Sequence, residues 1–144
     1  MNVKQISVFL ENKPGYLFSM TKVLAEHDID MRAFSLAESS DFGIARVIVD
    51  DVLSTATVLK EAGFVCALTP VLAVSVPDVP GGLNQVLELL SADEINVEYM
   101  YAFLGGRNLN RACMIFRVGD SRAAESALGA KGIKLLSQEE IATF

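Results

Sequence analysis

Ile6 and Val8 alternate with Gln5 and Ser7 ahead of an apolar Phe9-Leu10 pair, so residues 3–10 read as a strand with one buried face. After a turn at residues 11–15, Leu17, Met20 and Leu24 recur at helical spacing as far as His27, giving one apolar stripe on a helix that Asp28 closes. Residues 29–37 predict a second strand, Ser39-Ser40-Asp41 a turn, and residues 44–49 a β-branched third strand. Asp50 and Asp51 suit the dipole of the next helix start, and Gly63 suits its end before a last strand at 64–68.

The same order then repeats. Strand 71–76, turn 77–81, helix 83–93, strands 95–104 and 111–118, a helix from Ser121 to about Lys131, and strand 133–136 follow in turn, with Ser137 and Glu140 spaced to cap a final helical turn. The match holds residue by residue at an offset of 66, with Gly15 against Gly81, Leu17 against Leu83, Leu24 against Leu90 and Ile29 against Ile95. It resumes at an offset of 69, with Val49 against Val118, Asp51 against Asp120 and Gly63 against Gly132. The three extra residues fall between Tyr101 and Arg111, where Gly105, Gly106 and Asn108 mark a turn that tolerates length.

The chain is therefore a duplication, divided at residues 1–69 and 70–144, and each copy is βαββαβ. Right-handed crossovers put both helices of a copy on one face of a four-stranded antiparallel sheet, so the expected class is α+β, two ferredoxin-like sandwiches. Copies of about 70 residues are marginal in surface-to-volume terms and should share stability. The 51% hydrophobic content supports a core and further association as a homodimer.

A net charge of −6 with no basic cluster argues against nucleic-acid binding. No apolar run reaches the roughly 20 residues of a membrane span, and Lys4 and Glu11 interrupt the first apolar stretch, so a soluble cytoplasmic protein is expected. Cys66 and Cys113 lack metal-ligand spacing and read as core thiols. His27 reads as a helix-end residue, and no nucleophile–base set, Walker loop or dinucleotide fingerprint is visible, so neither an enzyme nor a cofactor is expected.

The most specific repeated feature is the turn itself: Asn12-Lys13-Pro14-Gly15 and Asp78-Val79-Pro80-Gly81, each between a strand and a helix. The first N–H groups of a helix have no intrahelical partner, and a glycine leaves room for a carboxylate to approach them. An Asn or Asp three residues earlier can bind an ammonium or tie down the loop. Such a turn suits an α-amino acid head group, although a Pro-Gly turn is also an ordinary strand-to-helix connection.

With Glu-Asn-Lys-Pro-Gly-Tyr-Leu at 11–17 and Leu-Ala-Glu-His-Asp-Ile-Asp-Met at 24–31, the chain resembles the ACT domain family, and 77–83 and 90–97 repeat the likeness. The resemblance implies regulatory amino-acid binding between units packed side by side through their second strands in a continuous antiparallel sheet. It implies one pocket joining Asn12, Gly15, Tyr16 and Leu17 to Tyr99 and Phe103, and another joining Asp78, Gly81, Gly82 and Leu83 to Phe34 and Ala37. A partner enzyme of amino-acid metabolism is implied, while a purely structural assembly module is the alternative. Because neither copy has many residues to bury, calorimetry is expected to show one unfolding transition; two well-separated transitions would count against shared stability.

Overall fold

The computed structural model describes residues 2–104 and 110–144; the turn expected at Gly105, Gly106 and Asn108 lies outside them. The elements run β1 (Val3–Glu11), α1 (Tyr16–Glu26), β2 (Ala33–Glu38), β3 (Phe42–Ile48), α2 (Val52–Glu61), β4 (Val65–Pro77), α3 (Gly82–Ala92), β5 (Val97–Ala102), β6 (Arg111–Val118), α4 (Ser121–Ala130), β7 (Leu135–Leu136) and α5 (Gln138–Ile141). Two compact units result, one of Lys4–Thr69 and one of Pro70–Phe144 with the first residues of the chain.

Strand order in the first unit is β4-β1-β3-β2, and in the second it is β7-β4-β6-β5. Both are the order of a ferredoxin-like sandwich, as the repeat predicts. The last strand of the first copy and the first strand of the second were expected as two strands, but they form one, β4. The physical reason lies at Thr69-Pro70: a residue before proline is driven to extended backbone, and proline's own fixed φ continues it, so the strand passes through. In each unit the second strand is an edge, for β2 pairs β3 and β5 pairs β6. The continuous antiparallel sheet that the resemblance implies is present, in the order β2-β3-β1-β4-β6-β5 with β7 on β4, and among the described residues the second strands are its edges and do not pair with each other.

The helical stripes pack as their spacing requires. Met20 and Leu24 of α1 join Ile6, Val8 and Leu59 in the first core, and Val86 and Leu90 of α3 join Leu72, Val74 and Leu128 in the second. The repeat extends to backbone angles: Gly15 and Gly81 have φ of 89° and 84°, and Asp28 and Glu94 both sit at 55°. The opposite sheet face departs from simple polar-out alternation. Gln5 is fully buried, donates to Ser7 Oγ at 2.9 Å, and Ser7 in turn meets Thr69 Oγ1 at 3.1 Å. A satisfied amide tolerates burial that hydropathy alone would forbid.

Helix α2 begins with Asp51 accepting from the Ser54 N–H at 3.1 Å, and α4 with Asp120 accepting from Ala123 N–H at 3.0 Å. Ser137 and Glu140 form a reciprocal capping box on α5, with Glu140 also held by Lys134 at 2.7 Å. Asp51→Ala and Asp120→Ala should each cost about 1 kcal/mol, read as a melting temperature lower by about 2–4 °C. Equal losses at the two positions are expected if the copies are energetically as well as geometrically alike; a loss at one alone would contradict this.

Candidate functional site

The β1–α1 loop is fastened to the β2–β3 turn. Asn12 N–H donates to Asp41 O at 3.0 Å and Asn12 Nδ2 to Ser39 O at 3.1 Å. Lys13 Nζ stands 3.2 Å from a Glu11 carboxylate oxygen, and the hydrogen bond and charge of Glu11 raise the ammonium's pKa. Gly15 then takes a left-handed conformation and opens α1 with no side chain accepting at its N-terminus. The second copy repeats this. Asp78 N–H donates to Asn110 O at 3.1 Å, and left-handed Gly81 opens α3, again without a side-chain cap. The helices after the Pro-Gly turns thus differ from α2, α4 and α5, whose N-termini are occupied by Asp51, Asp120 and Ser137.

Three neighbouring cavities surround this end of the first unit. One of about 280 Å³ is lined by Glu11, Asn12, Lys13, Ser40, Asp41 and Phe42, a wall carrying both signs of charge. Another of about 290 Å³ is lined by Phe9, Ala37, Glu38, Ser39, Phe42 and Ile44 and is mainly apolar. A third, about 60 Å³, brings Asn12 and Lys13 together with Leu17, Leu36 and Glu38. Volumes below about 300 Å³ suit a metabolite of amino-acid size better than a dinucleotide. A separate hollow of about 190 Å³ gathers Asp28, Asp30, Asp50 and Asp51. There, Asp50 is engaged bidentately by Arg32 at 2.9 and 2.8 Å, which holds its carboxyl below the usual range. No metal-holding group of His, Cys, Asp or Glu occurs among the described residues.

Of the residues expected to bind, Asn12 and Leu17 meet in one cavity, and Ala37 lines the apolar one. Gly15 and Tyr16 are exposed at the start of α1. Phe34 packs against the first core. Asp78 and Gly81 are exposed, Leu83 packs on the second core, and Tyr99 lies opposite Arg117 on β5. Phe103 meets the Phe144 ring edge-on, centroids 5.8 Å apart. Gly82 is buried, and a Cβ there would collide with the Pro77 carbonyl oxygen.

Sequence reasoning missed Lys13, Asp41, Phe9, Phe42 and Ile44. Phe9 carried a signal, being a large apolar residue in register with polar Gln5 and Ser7; it is 43% exposed and Phe42 is 59% exposed. Cys113 is buried, which pushes its thiol up to about 12, and burial also raises Cys66, so both remain protonated thiols at neutral pH. His27 is exposed at the end of α1, with Nδ1 2.9 Å from Val23 O.

The description of the family model that matches is ACT domain pair, and the match spans residues 1–144. The chain belongs to this family. A solved structure from Bacteroides thetaiotaomicron is 39% identical, with a TM-score of 0.92, covering 100% of this chain and 98% of that one. The ligand-free regulatory subunit of aspartate kinase from Thermus thermophilus shares the fold at 20% identity and a TM-score of 0.65, with 90% of each chain covered. The aspartate kinase regulatory subunit from Thermus flavus does so at 20% identity and a TM-score of 0.59, again over 90% of each chain. Comparison with curated proteins gives no match. No helix among the described residues is long and apolar enough to cross a membrane.

The close approach at Gly82 yields a stability prediction. Gly82→Ala must push the Pro77 carbonyl or α3 aside, so a loss of about 1–3 kcal/mol is expected by chemical denaturation. An unchanged midpoint would show that the turn relaxes without cost.

Proposed function

We propose that this chain is a non-catalytic regulatory protein that binds a free amino acid at its Pro-Gly turns and signals by changing its association with a partner enzyme or a second copy of itself. One observation carries the reading: a left-handed glycine opens a helix with no side-chain cap in both copies, and in the first the loop leading into it lines a cavity with Lys13 beside Glu11 and Asp41. A helix start without a side-chain cap and an ammonium attract a carboxylate, while carboxylates attract an ammonium, so the head group of a zwitterion finds both complements. The fold likeness to the aspartate kinase regulatory subunits of Thermus supports a regulatory role.

A calorimetric screen of the common amino acids tests this. At least one should bind, and it should be recovered chemically unchanged after long incubation, with a shift in sedimentation or partner affinity. Turnover of the amino acid by the purified chain would overturn the reading. Gly15→Val places a branched side chain at φ +89°, where the left-handed backbone costs about 1–2 kcal/mol. Gly63→Val imposes the same strain at φ +94°, after α2 and away from the turn. Both variants should lose similar stability, but only Gly15→Val should weaken binding, by tenfold or more; equal affinities in the two would place the head group elsewhere.

A further inference from the structure

The two copies differ where their backbones agree, and the difference points to a side-chain class. Phe9 and Ala37 both stand opposite Ile44 in the first sheet, making one row across β1, β3 and β2. The repeat offsets carry this row to Ser75, Cys113 and Phe103, and the second sheet holds them in the same way, with Ser75 opposite Cys113 and Phe103 N–H donating to Cys113 O at 2.9 Å. Phe42 maps likewise onto Arg111.

In the second unit this row is covered by the chain itself. Arg111 folds along the sheet, donating from Nε to Ser75 Oγ at 2.8 Å and from Nη2 to Ser75 O at 2.9 Å. The ring of Phe144 stands edge-on to Phe103, an aromatic pair worth having beyond its buried area. The C-terminal segment is anchored for this contact by fully buried Ile141 and the capping box of α5. In the first unit alanine replaces Phe103 and phenylalanine replaces Arg111, and the row borders the apolar cavity of about 290 Å³. Its rim residue Phe42 also lines the charged cavity beside Lys13 and Asp41.

We infer that the first unit holds a specific site for an amino acid with a large apolar side chain, the chain seating on Phe9, Ala37, Phe42 and Ile44, while the second unit fills its equivalent position with Arg111 and Phe144. The inference rests on the amino-acid reading above and adds the ligand's class and its stoichiometry. The occupant of the second row indicates what the first accepts, since an aromatic ring already covers the same register of the same fold. Glu38 and Ser39 are the polar members of this lining; against Phe9, Ala37, Phe42 and Ile44 a polar side chain would leave hydrogen bonds unmade, whereas an apolar one removes exposed aromatic surface from water.

Isothermal titration of the full chain with L-phenylalanine, L-leucine, L-serine, L-lysine and L-aspartate, one at a time, tests this. Phenylalanine or leucine should bind with one molecule per chain, at least tenfold more tightly than the three polar amino acids. Ala37→Phe, which gives the first row the residue that the second already tolerates, should weaken that binding tenfold or more with an unchanged melting temperature. Phe144→Ala should leave the first-site affinity as it was. Tighter binding of serine, lysine or aspartate, two molecules per chain, or an indifferent Ala37→Phe variant that melts normally would overturn the inference while leaving amino-acid sensing intact. Binding of none of the common amino acids would overturn both, and burial of Phe9 and Phe42 in a ligand-independent dimer, read by sedimentation with a Phe42→Asp variant, would assign the patch to a second copy instead.

Discussion

Everything in this fold depends on one exchange: a narrow apolar stripe on each helix leaves water against one face of each sheet. Met20 and Leu24, or Val86 and Leu90, are buried to within 1% in these stripes, and burying a side chain of this kind is worth roughly 1.5–3 kcal/mol. That exchange fixes the rotation of α1 and α3, and with it the direction in which their first turns face. The left-handed glycine before each helix follows from the same demand. Strand and helix axes must meet within a short turn, and Gly15 and Gly81 reverse the chain with no Cβ to obstruct it.

The duplication made most of this legible before any coordinates. Periodicity located the helices because their burial is one-sided, and Asp51 and Ser137 marked two helix starts by chemistry that acts locally, with Asp120 reached through the repeat. What sequence could not supply was set by neighbours distant along the chain. Proline at 70 suggests a break, yet an extended proline is compatible with a strand, and only pairing decides whether one continues. Gln5 looks like a solvent-facing residue until Ser7 and Thr69 are seen to satisfy its row. The turn residues of the candidate site were readable as a turn because a Pro-Gly step constrains backbone by itself. The apolar wall was not, because Phe9, Ala37, Phe42 and Ile44 come from three strands and become neighbours only through register.

Two copies of one backbone have been kept while their side chains diverged. Gly15 and Gly81 are both left-handed, with φ of 89° and 84°, so the turn geometry is common property. Gly82, tight against the Pro77 carbonyl, has Tyr16 as its counterpart, which is exposed. The β1–α1 turn therefore accommodates a large side chain at the helix start, and the β4–α3 turn does not. Duplication alone would predict equal turns; packing at single positions is what separates them.

A ligand at the first turn has a defined mechanical reach. Asn12 is bonded to the backbone of Ser39 and Asp41, so the loop that would hold a head group is already joined to the turn between β2 and β3. Strand β2 has β3 as its paired neighbour and is an edge of the first unit. An edge strand carries backbone donors and acceptors available to another chain, and small changes in its order alter how well it serves as a template. Ligand affinity as such transmits nothing; only the difference in affinity between two states of that edge does. Coupling free energies of about 1–3 kcal/mol, or about 5–150-fold in association, are usual for such linkage, and ordering one or two residues at the end of β2 is of that size, since fixing one residue's backbone costs about 1–2 kcal/mol. On the proposed reading, the short path from Asn12 through Ser39 to β2 would carry a regulatory response without any large movement of the fold.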